Sequence, residues 1–284
     1  GQVWYNTTSN TVKANYINSG AWATGGALNT ARFNLAGAGT QTAALAFGGR
    51  LPPNTAATES YNGTNWTEVN DLNTARQQLA GAGIQTAALA FGGFLPPDSA
   101  ATELWNGTNW TAVNSMNTAR ARLAGAGTNT AALGFGGYSP PVTAATETWN
   151  GTNWTEVNDL NTARALLAGA GTNTAALAFG GNTGPGAVTE LWNGTNWTEV
   201  NDLNTARSGL AGAGTNTAAL GFGATALTET WNGTNWTEVN DLNVGRSSLA
   251  GAGTNTAALG FGGYSPTTAT EEWNAGPATV TFDV

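Results

Sequence analysis

The chain has 284 residues, with 9 Lys+Arg against 17 Asp+Glu and a net charge of −8. It contains no cysteine and no histidine, which excludes disulfides, Cys/His metal sites and imidazole general-base chemistry. The acidity argues against a nucleic-acid partner, and no run of 18 apolar residues marks membrane insertion.

In chain order, residues 1–17 ("GQVWYNTTSNTVKANYI") read as a connector or strand segment ahead of a propeller placed at 18–284. A start at Gly1 is expected of a processed product or a fragment. Arginines of a recurring "NTAR"-type element then fall at 32, 76, 120, 164, 207 and 246, a period of 39 to 44 residues. Such a period belongs to propellers or solenoids. The unit is rich in Gly, Thr, Asn, Val and Trp and lacks an i, i+3, i+4 apolar pattern, so its elements are strands. Over 164–201 four strands are read, at 166–172, 174–181, 188–192 and 196–200. Four antiparallel strands in each of six units predict an all-β, six-bladed propeller. The Ala/Gly-rich first strands are expected nearest the axis, where only small side chains fit. The sixth unit has three strands, so "AWATGG" around Trp22 is expected to complete the last blade beside Trp273 and close the ring. The C-terminal "ATVTFDV" (278–284) alternates like a strand and is expected to compete for that edge or add to it.

The repeated residues read as structural. "WNGTNW" is a hairpin whose Asn-Gly supplies positive φ, with flanking tryptophans paired across strands; sugar stacking is the functional alternative. Glu59, Glu103, Glu147, Glu190, Glu229 and Glu271 match Arg32, Arg76, Arg120, Arg164, Arg207 and Arg246 one to one. This predicts a buried ion pair within each blade or between neighbours, against an arginine cluster gripping an anion in the channel. Acids such as Glu156 and Asp159 fit no calcium loop, so no metal and no cofactor is expected. No catalytic residues are assigned either: a catalytic site should appear as one blade that breaks the pattern with a polar cluster, and none does.

A Gly-Gly pair after an apolar strand, then a Glu-bearing strand ending in an aromatic, then a Trp and an Arg, resembles the kelch repeat over residues 12–273. The doublet stands at Gly48-Gly49, Gly92-Gly93, Gly136-Gly137, Gly180-Gly181 and Gly262-Gly263, and decays to Gly223-Ala224. The aromatic and Trp are Tyr61/Trp66, Trp105/Trp110, Trp149/Trp154, Trp192/Trp197 and Trp231/Trp236, spaced as in a compact variant. The near-identical copies are also similar to kelch-type arrays in bacteriophage tail and virion proteins. That resemblance implies a virion-surface or extracellular location.

The copies differ after the Gly-Gly doublet ("RLPPNTAA", "FLPPDSAA", "YSPPVTAA", "NTGPGA", "TA", "YSPTTA") and just after each Arg ("FN", "QQ", "AR", "AL", "SG", "SS"). Alternating strands place both regions on one face, which in kelch propellers generally binds partners. Its candidate contacts are Arg50, Phe94, Tyr138, Tyr264, Phe33, Gln77, Gln78 and Arg122. The expected function is a non-catalytic adhesion module, a phage tail-fibre or virion-surface propeller recognising a host-surface glycan or protein. The alternative is a structural propeller stacking with other virion or filament subunits; a carbohydrate-active enzyme ranks last.

Overall fold

The computed structural model describes residues 3–6, 11–17, 20–182, 186–264, 267–275 and 277–283. Residues 1–2 and 7–10 of the expected N-terminal segment, 18–19 at the start of the expected propeller, and Val284 lie outside the described residues. Six four-stranded antiparallel sheets form the blades of a β-propeller. Blades 1 to 5 occupy residues 36–69, 80–113, 124–157, 168–200 and 210–238, and blade 6 begins at 250. Blade 4 is representative, with strands Ala168–Gly171, Ala176–Phe179, Thr189–Trp192 and Trp197–Val200. Blade 6 takes its first three strands from Ala250–Gly253, Ala257–Phe261 and Thr270–Asn274. Its fourth is Ala21–Thr24, hydrogen-bonded with Trp22 opposite Trp273.

The strand expected at 278–284 belongs elsewhere. Pro277–Asp283 pairs with Thr11–Ile17, which pairs in turn with Val3–Asn6, in a separate three-stranded sheet. The outer edge of blade 6 is already occupied by Ala21–Thr24, so the C-terminal strand finds its partner in the N-terminal segment. The propeller proper therefore ends near residue 275.

The core lies between blades. One cluster joins Leu133 and Phe135 of blade 3 to Leu160, Leu167, Trp192 and Trp197 around blade 4. Each fourth-strand Trp tilts against the Phe of the preceding blade, as Trp110 does on Phe47 at 5.0 Å and Trp22 on Phe222 at 4.9 Å. The same indoles donate to a buried Thr hydroxyl of that blade, Trp110 to Thr58 (3.1 Å) and Trp22 to Thr228 (3.0 Å). Burial of so large a side chain supplies area, and the N–H partner removes the cost of burying its polar end. First strands of neighbouring blades approach so closely that a Cβ on Gly81 would meet the Gly37 carbonyl at 2.7 Å. This is the physical reason for the AGAG sequence.

The "WNGTNW" connection is a four-residue loop rather than a two-residue turn with positive φ at both centres. Within this loop of blade 3, residues 150–153, only Gly151 has positive φ (91°), while the Asn150 side-chain oxygen accepts from the Thr152 and Asn153 amides. An Asx-type cap thus replaces the expected Asn conformation.

Candidate functional site

The six Arg–Glu pairs form within blades. Arg32–Glu59 (2.5 Å), Arg120–Glu147 (3.2 Å), Arg164–Glu190 (3.1 Å), Arg207–Glu229 (3.0 Å) and Arg246–Glu271 (2.6 Å) join Arg76–Glu103, all of them buried. The other carboxylate oxygen accepts from an Asn of the linking segment, for example the Asn161 backbone (2.7 Å) and side-chain (2.8 Å) N–H groups on Glu190. Burial pushes the Arg164 guanidinium down from its usual value, and Glu190 partly restores it. These arginines are committed to the blades, with their Nε–H groups buried and unpartnered, so they do not form a ligand-gripping ring in the channel.

The pairs consume six of nine cations and six of 17 acids, leaving three against eleven and accounting for the whole net charge. Among the described residues, Arg50 and Arg122 are the two arginines outside an ion pair. Both stand on the face carrying the variable loops. Of the remaining acids, Asp71, Asp159, Asp202 and Asp241 each accept the first N–H of a third strand, as Asp159 does from Thr146 at 3.1 Å.

The variable face has two concentric parts. At the axis, the second residue after each repeat Arg adopts left-handed backbone: Asn34 (φ 56°), Gln78 (57°), Arg122 (59°), Leu166 (57°), Gly209 (72°) and Ser248 (56°). Their N–H groups donate around a closed circle, Gln78 to Asn34, Arg122 to Gln78, Leu166 to Arg122, Gly209 to Leu166, Ser248 to Gly209 and Asn34 to Ser248, at 2.7–2.9 Å. This hydrogen-bonded ring holds a conformation that Gln, Arg, Leu and Ser disfavour. It rims a pocket of about 90 Å³ at the axis.

Outside it stand three similar loops on blades 1 to 3, each with a cis Pro-Pro bond (Pro52-Pro53, Pro96-Pro97, Pro140-Pro141). Their tips are fixed by backbone bridges: Phe33 to Arg50 to Asn54, Gln77 to Phe94 to Asp98, and Ala121 to Tyr138 to Val142. The Asn54 side chain donates to the Phe94 carbonyl (2.9 Å), tying the first loop to the second. Between them lies a groove of about 400 Å³ lined by Arg50, Pro53, Asn54, Phe94, Leu95 and Pro96.

The structure divides the eight expected contacts. Arg50 and Phe94 share the groove, and Arg122 lies 5.4 Å from the Tyr138 ring. Phe33 packs edge-on against Tyr264 (5.2 Å) on the opposite side of blade 1, leaving Tyr264 60 % exposed. Gln78 is part of the axial ring. Gln77 also lines the groove but is largely buried there, its side-chain oxygen accepting from Asn34 (2.9 Å). Asn34, Leu166, Gly209 and Ser248 fall in the variable pairs after each Arg but are not among the expected contacts. The presence of Asn and Gly, both tolerant of positive φ, at one phase of the repeat was their signal.

A scan of protein-family models finds no match to this chain, and a search of curated proteins finds no similar sequence. Fold and site together define the class: a six-bladed β-propeller whose repeated residues build the ring and whose non-repeated residues gather on one face.

Proposed function

We propose that this propeller is a non-catalytic binding module that recognises a surface glycan or protein through the loop face of blades 1 to 3. The observation that carries the reading is the segregation itself. Both unpaired arginines and the aromatic loop residues fall on one face, and exposed aromatics and Arg are the usual anchors of recognition surfaces. The route of the chain adds support. Ala21 pairs with Asn274 at the constant-turn end of blade 6, where the Thr11–Ile17 and Pro277–Asp283 ribbon connects. The chain therefore joins the propeller on the face opposite the variable loops. The kelch-like spacing of the glycine doublets and tryptophans supports placing it with kelch-type propellers of phage tail or virion surfaces, presented outside a cell. A stacked structural propeller is the second reading, favoured by exposed Leu51 and Leu95 on the loops.

A glycan and host-protein array probed with wild type, a Phe94→Ala/Leu95→Ala groove variant and an opposite-face Ile84→Thr variant tests this. Ile84→Thr restores the residue found in other copies. Loss of binding in the groove variant alone is expected. Equal binding by all three, or loss only in Ile84→Thr, contradicts the reading.

A further inference from the structure

We infer that the axial mouth of the loop face takes a carboxylate carried on a saccharide, with Arg122 as the group that reads it. This rests on the loop-face reading above and names the ligand chemistry for its centre.

Arg122 is held on a fixed stem: its N–H donates to the Gln78 carbonyl (2.8 Å) and its carbonyl accepts from Leu166 (2.9 Å). Its side chain is the one cation among the six axial positions, the others being Asn34, Gln78, Leu166, Gly209 and Ser248. The Tyr138 ring flanks the guanidinium at 5.4 Å, within range of a cation–π contact that leaves the N–H fork free to bond. Asp98 lies close enough for Arg122 to lower its pKa against a larger upward push from burial, yet the two form no ion pair.

Arg122 stands at this mouth on a chain that is otherwise strongly anionic, a local exception in charge that favours an anionic ligand there.

The chemistry favours a carboxylate. A single guanidinium matches it with two parallel N–H···O bonds, whereas a dianionic phosphate would need further cations that this mouth lacks. Gln78 and Ser248 place neutral hydrogen-bonding groups at the same rim and Leu166 an apolar wall, a combination suited to sugar hydroxyls and ring carbons.

The test is calorimetric titration with matched acidic and neutral sugars: sialyllactose against lactose, and trigalacturonate against its methyl ester. Wild type, Arg122→Gln and Phe94→Ala/Leu95→Ala are compared. Gln78 occupies the equivalent position at φ 57°, so Arg122→Gln is expected to fold, which a melting curve verifies. Wild type is expected to prefer an acidic member by roughly tenfold or more, with the preference falling as salt rises. Arg122→Gln is expected to abolish the preference. Equal affinity for acid and neutral forms, persistence of the preference in Arg122→Gln, or binding to none of the four overturns the site. Binding of neutral sugars that is lost in the groove variant overturns it too, but leaves the loop-face reading standing.

Discussion

At the residue scale, the Arg–Glu pairs show how one chemistry is reused six times. A guanidinium buried beside its carboxylate has lost water that the pair alone does not fully replace, which is why burial is the larger influence on Arg164. Removing one partner leaves the other charged and dry. Arg164→Met is therefore expected to cost about 3–5 kcal/mol in urea denaturation, and a loss under 1 kcal/mol would contradict the buried-pair account. The seam between blades 6 and 1 has its own pair. Tyr61 stands where the other blades have Trp, and its hydroxyl donates to Glu272 (2.6 Å). Burial first, and Glu272 second, push the Tyr61 pKa from 10.0 up to about 12. A phenol raised in this way stabilises the fold fully below its unfolded value near 10, and that contribution is lost as pH rises through about 12. Tyrosinate absorbance, taken as wild type minus Tyr61→Trp, should place this group near the higher value; ionisation with an ordinary tyrosine's midpoint would count against the contact. The ion pairs were legible in sequence because their counts and phase match. The Tyr61–Glu272 contact was not, because residues 211 positions apart become neighbours only through ring closure.

At the element scale, the axial ring makes backbone strain a shared property of six blades. Each left-handed residue is held by a hydrogen bond from the next, so no single blade can relax alone. Leu166 carries a branched apolar side chain in a conformation that Asn tolerates better, and Asn34 holds the equivalent place at φ 56°. Leu166→Asn is expected to stabilise the protein by about 0.5–1 kcal/mol; destabilisation by a similar amount would show that Leu166 packing outweighs strain. Strand positions were legible from the repeat, since buried apolar runs such as Ala176–Phe179 contrast with Gly- and Asn-bearing turns. The geometry of the turns was less so. Asn-Gly is compatible with several loops, and the choice here is made by the Asn150 side-chain cap, which a dipeptide alone does not specify.

At the scale of the whole molecule, the proposed function assigns stability and recognition to different residues. The ring is joined by non-covalent contacts at Ala21–Thr24, where Trp22 meets Trp273 at 5.5 Å and Phe222 at 4.9 Å. Trp22→Ala is expected to cost about 3–5 kcal/mol, as for other buried tryptophans, with loss of the single cooperative transition if blade 6 opens first. The six-bladed architecture was legible because near-identical copies fix the period. The layout of the loop face was not, because it depends on which non-repeated residues become neighbours, as Arg122 and Tyr138 do. The most direct measurement replaces blade 2 residues 92–101 with the short blade 5 connection, residues 223–227, and follows ligand binding beside thermal unfolding. The account predicts a folded, cooperatively melting protein that no longer binds. Retained binding, or failure of the ring to fold, would contradict the division between residues that build the propeller and residues that recognise a partner.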